Sequence, residues 1–160
     1  MNPTVRLLAP VLLLLAFAAQ AVPSSLHQVR IAADAGEVYR VLYRELESRR
    51  LFVVFEADIG GTLAGMAERL GEDYNRNGLS TIRSLVVCNA WYANRVSNLD
   101  PDMLALCPLR LSVIHKGGTT TIGFARPSVH AEGSAALPVI REIEDIVIEA
   151  MAATTRAFVH

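Results

Sequence analysis

Residues 86–108 are VVCNAWYANRVSNLDPDMLALCP and hold both cysteines of the 160-residue chain, one near each end. Cys88 closes an apolar run, and Asn89 after it is a good N-cap for a helix. Pro101 then breaks that helix, because the residue before a proline avoids the helical conformation. Cys107 stands at the head of the next segment with alternating polarity. This stretch therefore predicts a strand, a helix and a second strand, with a cysteine at each strand boundary.

The residues before this stretch predict two further strands with a helix between them. Residues 26–31 alternate apolar and polar side chains, and residues 51–55 form a short β-branched and aromatic run. Between them, Asp34 is expected to cap a helix, with Glu37 in the position of a capping box. The chain thus begins its folded part as strand, helix, strand.

Glycines divide the segment that follows. The glycine pair at 60–61 indicates a turn after the second strand. Thr62 is then expected to cap a helix that ends at Gly71. A third strand, predicted over about residues 79–87, leads into Cys88.

The residues after the quoted stretch predict a hairpin and a long final helix. Segments 108–115 and 119–124 alternate in polarity around the glycine pair at 117–118, which is typical of a β-hairpin. A helix is expected over about residues 135–157, with Pro138 tolerated in its first turn. This order of elements predicts an α+β fold, a two-layer sandwich with a sheet of about five strands and helices packed on one face.

The first 21 residues are typical of a secretory signal peptide. Arg6 is their only charge, residues 11–19 are apolar throughout, and residues 19–21 supply the small side chains of a cleavage site. Pro10 shortens the apolar stretch below the ~20 residues that cross a bilayer. We therefore expect residues 22–160 to form a single domain that is periplasmic or secreted from a bacterium and has no membrane association after cleavage.

Charge argues against a nucleic-acid partner. The chain has 15 basic and 16 acidic residues, and removal of the first 21 residues removes one basic residue, Arg6, so the net charge moves from -1 to -2. No basic stripe or patterned cluster is present, and such a chain has no electrostatic reason to bind nucleic acid or anionic lipid.

Several of these motifs together resemble the family called domain of unknown function 302. The resemblance lies in LFVVFEADI at 51–59, VCNA at 87–90, Asp-Pro at 100–101 and LCP at 106–108, and it spans about residues 36–127. It implies a small α+β domain that is able to pair as a homodimer. It implies no established activity.

Three interpretations of Cys88 and Cys107 remain open on sequence alone. An exported chain favours a disulfide, while buried inert thiols are equally compatible with the apolar surroundings. The third interpretation is a reactive or metal-binding pair. The absence of a Cys-x-x-Cys spacing favours a structural role over redox catalysis.

A second candidate surface lies on the helix that Asn89 opens. Asn89, Trp91, Tyr92 and Asn94 cluster at the start of this helix and can line a shallow ligand pocket or a dimer contact. The alternative is that Trp91 only covers the edge of the core.

No catalytic or cofactor motif identifies a reaction. The four histidines stand singly, so we predict no metal site and no cofactor, and the chain lacks a nucleophile elbow, a phosphate loop and a dinucleotide fingerprint. These absences favour an exported, non-catalytic module that binds an unidentified small ligand or acts as an accessory protein. The alternative hypothesis is a periplasmic thiol-redox or metal-handling protein that uses Cys88 and Cys107.

Overall fold

The computed structural model describes residues 24–159, which contain a five-stranded antiparallel sheet in the order β1-β5-β4-β3-β2. The strands are β1 Leu26–Ile31, β2 Phe52–Asp58, β3 Thr81–Cys88, β4 Leu109–Lys116 and β5 Thr119–Ala125. The helices are α1 Ala35–Ser48, α2 Ile59–Ala64, α3 Ala67–Leu70, α4 Ala90–Leu99 and α5 Leu137–Arg156. Short 3₁₀ turns occupy Gly71–Asp73, Pro101–Leu106 and Pro127–His130.

One face of the sheet carries the apolar core. Leu85, Leu111 and Phe124 lie side by side on β3, β4 and β5 and are almost completely buried. Helices α1 and α5 cover this face and contact each other, and α4 packs against α5. Each such side chain stabilises the fold by about 1.5–3 kcal/mol through removal of apolar surface from water. The expected two-layer α+β sandwich is confirmed.

The opposite face of the sheet includes a row of small residues across β3, β4 and β5. The row consists of Ser84, Ser112 and Gly123. A Cβ at Gly123 would lie 2.7 Å from the Ser112 Oγ, so a larger residue there requires the Ser112 side chain to move. The Ser84 hydroxyl is buried and has no hydrogen-bond partner among the described residues.

The segment after β2 differs from the sequence prediction. The expected turn at Gly60 and Gly61 is wrong, because both glycines lie within α2. The helix is capped by Asp58, whose carboxylate accepts a hydrogen bond of 2.9 Å from the Gly61 N–H, rather than by Thr62. Asp is among the strongest N-caps and starts the helix as soon as the strand ends. A second short helix follows, and Gly71, with φ of 55°, ends it as expected.

The ends of the chain agree with the predictions where the structure describes them. Asp34 caps α1 by accepting hydrogen bonds from the N–H groups of Gly36 and Glu37, and Pro138 lies in the first turn of α5. The expected signal peptide at 1–21 lies outside the described residues. Within residues 24–159, no helix combines the length and the apolar character needed to cross a membrane.

Candidate functional site

The antiparallel pairing of β3 and β4 brings the two cysteines together. Val87 lies opposite Leu109 at the end of the ladder, so Cys88, the last residue of β3, is next to Cys107, which lies two residues before β4. The chain between the two cysteines forms helix α4 and the following 3₁₀ turn, after which it comes back to the end of β3. Both residues are half-buried free thiols.

The environment of Cys107 favours its protonated form. Burial raises the pKa of the Cys107 thiol, and the neighbouring Cys88 raises it further. A thiol with a raised pKa holds little thiolate at neutral pH and is a slow nucleophile. Cys107 is therefore poorly suited to nucleophilic catalysis.

A cavity of about 390 Å³, here called the Cys107 cavity, opens beside this thiol. Its walls are mostly apolar, with Arg110 and His130 as the charged or titratable groups and no acidic residue. Cys107 also lines a much smaller apolar cavity, which includes Met103 in its lining. Cys107 thus lines two cavities of different size.

Asn89 fixes the start of α4, as its position after Cys88 predicts. The side-chain oxygen of Asn89 accepts hydrogen bonds from the N–H groups of Trp91 at 2.9 Å and Tyr92 at 3.2 Å. Its amide nitrogen donates to the Arg50 carbonyl oxygen at 2.8 Å. One side chain therefore caps α4 and ties it to the chain that follows α1.

Trp91 and Tyr92 stand next to each other in sequence but differ sharply in burial. Trp91 is 60% exposed and Tyr92 is 9% exposed. Their rings meet edge to face with centroids 5.0 Å apart, and the Arg95 guanidinium carbon lies 4.4 Å from the Trp91 ring centroid. These contacts hold the exposed indole in place, since such aromatic pairs and cation–π pairs are attractive.

The Tyr92 hydroxyl is directed to α5. It donates a hydrogen bond of 2.7 Å to Glu142, whose other carboxylate oxygen accepts from Arg95 at 2.8 Å. Burial raises the pKa of Tyr92, and the hydrogen bond to Glu142 raises it further. The hydrogen bond from Tyr92, followed by the hydrogen bond from Arg95, lowers the pKa of Glu142.

A second cavity of about 390 Å³, the Trp91 cavity, lies between the end of α1 and the start of α4. It is lined by Arg49, Arg50, Asn89, Trp91, Tyr92 and Ile146. Three of the four residues predicted for a ligand surface thus share one cavity, whereas Asn94 is exposed and is not part of this lining. Arg49 is paired with Glu45, and Arg50 makes no ion pair within residues 24–159.

Comparison with known proteins agrees with this fold. The family model of domain of unknown function DUF302 matches residues 27–157. The chain belongs to the DUF302 family. The match extends beyond the 36–127 stretch in which the sequence motifs lie.

One solved DUF302 structure shows the same fold. The crystal structure of an uncharacterized conserved DUF302 protein from Bacillus stearothermophilus has a TM-score of 0.70 and 20% sequence identity, and covers 81% of this chain and 97% of its own. No curated protein matches the chain by sequence.

Several residues of this candidate site are not predicted by the sequence patterns. Arg49 and Arg50 join the Trp91 cavity because α1 ends beside the start of α4, and no local pattern predicts that neighbourhood. Glu142 comes from the final helix, where its exposed position looks like any solvated glutamate. The one available signal was the basic Arg-Arg pair at the expected end of α1.

A larger groove of about 760 Å³ lies along the outside of α1, between Arg44 and Phe158. Two of its aromatic residues have partners: Tyr39 lies 6.4 Å from Tyr43 between ring centroids, and the Arg83 guanidinium carbon lies 5.3 Å from the Tyr39 ring centroid. Burial, followed by Glu56, strongly raises the pKa of Tyr39. The groove has exposed charged residues such as Arg40 and Arg44 in its lining but no tryptophan, which distinguishes it from the Trp91 cavity.

Proposed function

We propose that this protein is an exported, non-catalytic binding module that takes a small anionic aromatic molecule in the Trp91 cavity. The observation that carries the proposal is the exposure of Trp91, 60%, on a helix start that several contacts hold rigid. Large exposed aromatic side chains in fixed positions are typical of binding surfaces.

The lining of the Trp91 cavity indicates the chemistry of the ligand. The indole supplies a flat apolar surface for a ring, and the Arg50 guanidinium supplies hydrogen bonds and charge for a carboxylate. Arg50 is exposed and free of an ion pair among the described residues, so a bound anion displaces no protein carboxylate. The volume of about 390 Å³ suits a small ligand.

Trp91 itself provides the measurement, because it is the only tryptophan of the chain. Its fluorescence is recorded while phenylacetate is added, with the uncharged phenylacetamide as the matched probe. We expect a saturable change with phenylacetate and a much weaker one with phenylacetamide.

Two charge-neutralising variants complete the test. Arg50→Gln removes the cavity cation and is expected to weaken phenylacetate binding at least tenfold, about 1.4 kcal/mol. Arg69→Gln, in the exposed α3 helix, changes the net charge equally and is expected to bind like the parent. Equal responses to the two probes, or equal binding by both variants, would contradict the proposal.

A second candidate function uses the thiols. The contact between the ends of β3 and β4 places Cys88 next to Cys107, and this favours the thiol-redox or metal-handling alternative more strongly than sequence spacing does. Intact mass of protein recovered from the periplasm, measured before and after alkylation, tests both export and thiol state. A periplasmic mass that retains residues 1–21 would contradict signal cleavage, and protein found only in the cytoplasmic fraction would contradict export. Cysteines that are fully oxidised would contradict a free-thiol function.

A further inference from the structure

We infer that Cys88 and Cys107 together bind one soft monovalent metal cation, of the Cu⁺ class, as a dithiolate. The inference rests on the second candidate function, the thiol function, and is independent of the Trp91 cavity. Its starting point is that the β3–β4 ladder ends at Val87 and Leu109 and so brings Cys88 and Cys107, which lie just beyond that pair, next to each other.

The donor set selects the class of metal. Among residues 24–159, no group of three or more His, Cys, Asp or Glu side chains is placed to hold a metal ion. Zn²⁺ requires about four ligands, and Ca²⁺ and Mg²⁺ require about six oxygen ligands. Thiolates are soft ligands that select Cu⁺, and a d¹⁰ monovalent ion is satisfied by a pair of them.

The surroundings of Cys107 suit such a complex. Cys107 lines the small apolar cavity together with Met103, whose thioether is a further soft group, and no carboxylate or imidazole lines that cavity. Cys107 also lines the Cys107 cavity of about 390 Å³, through which an ion can reach the thiol. Arg110 lines this cavity and places a positive charge near the site.

Charge and proton balance are consistent with this site. Binding releases two protons, one from each thiol, and one cation enters, so the metal dithiolate carries a charge of -1. Nothing is oxidised or reduced in this step. Arg110 lines the same cavity as Cys107 and is the cation available there to stabilise the negative complex.

The test uses Ag⁺, which is a d¹⁰ probe with no redox cycle under the conditions of the experiment. The reduced full chain is titrated with Ag⁺ in the presence of a thiol competitor, and stoichiometry is read by native mass spectrometry. We expect one Ag⁺ per chain, with two protons displaced. Cys88→Ser and Cys107→Ser are each expected to lose the ion, whereas His27→Ala is expected to retain it.

The comparison of Ag⁺ binding is repeated without a substitution, with parent protein whose two thiols are blocked by N-ethylmaleimide. Circular dichroism checks the fold of each sample. Tight Ag⁺ binding by either single serine variant would show that one thiol is enough to bind the ion and would overturn the inference. Absence of Ag⁺ binding by protein whose two thiols still react freely would overturn it while leaving the thiol function standing. A Cys88–Cys107 disulfide that persists in periplasmic protein would overturn both.

Discussion

Tyr92 and Glu142 are 50 positions apart in the chain, yet the Tyr92 hydroxyl donates a hydrogen bond of 2.7 Å to the Glu142 carboxylate. This bond links α4 to α5 directly beneath the exposed Trp91. Since Arg95 contacts both Glu142 and the Trp91 ring, the three side chains form one connected cluster. The orientation of the side chains that line the Trp91 cavity therefore depends on the Glu142 carboxylate in α5.

The first prediction concerns acid stability. The Tyr92 hydrogen bond and Arg95 lower the pKa of Glu142 in the folded protein, so in acid the unfolded chain binds more protons than the native state. The contribution of Glu142 is present above the ordinary glutamate pKa of about 4.3 and is lost as the pH falls through its lower folded value. Glu142→Gln is expected to flatten the acid limb of the free energy of unfolding, measured by urea denaturation at several pH values. Glu68→Gln, on the exposed α3 helix, serves as the control and should keep the slope of the parent.

A second prediction concerns the buried carboxylate of α5. Glu144 is 1% exposed, and its carboxylate accepts from Arg126 at 2.8 Å and from the Ser128 N–H at 3.0 Å. Arg126→Ala leaves this charge buried without its cation and is expected to cost about 3 kcal/mol in the free energy of unfolding. Arg156→Ala removes the partner of the exposed Glu149 and should cost less than about 1 kcal/mol. Similar losses in the two variants would mean that Glu144 is not held as the structure shows.

Sequence patterns predicted most of the fold because its elements have strong local signals. The alternation in residues 26–31 and the Asp34 cap both correspond to observed elements. The segment after β2 was less predictable, since glycines are compatible with a turn and with a short helix. Its outcome depends on the Asp58 cap and on close contact with β3, where a Cβ on Gly60 would lie 3.3 Å from the Ile82 nitrogen.

The candidate site was only partly predictable for a different reason. Asn89 acts through its immediate neighbours, so its cap could be inferred from sequence. The proximity of Cys88 and Cys107 depends on β3 and β4 being adjacent, and sequence leaves that pairing undetermined. The same holds for Arg50, which reaches the site only because α1 ends beside α4.

A third prediction tests the double role of Asn89. Asn89→Ala removes the cap of α4 and the hydrogen bond to the Arg50 carbonyl oxygen, and is expected to lower the free energy of unfolding by about 1–2 kcal/mol. Asn94→Ala, on the exposed side of the same helix, should change it by less than about 0.5 kcal/mol. Urea denaturation measures both values, and equal effects would mean that the cap contributes nothing specific.

The last prediction concerns the reactivity of Cys107. Because burial and the neighbouring Cys88 raise the pKa of this thiol, its rate of alkylation by iodoacetamide should be low at neutral pH and continue to rise above the range of an ordinary cysteine. In Cys88→Ser the second cause is removed and burial remains. The alkylation profile of Cys107 should therefore move to lower pH in this variant without reaching that of a free cysteine in the urea-unfolded protein. Rates measured by mass spectrometry across the pH range separate the two causes, and an unchanged profile in Cys88→Ser would show that the two thiols do not influence each other.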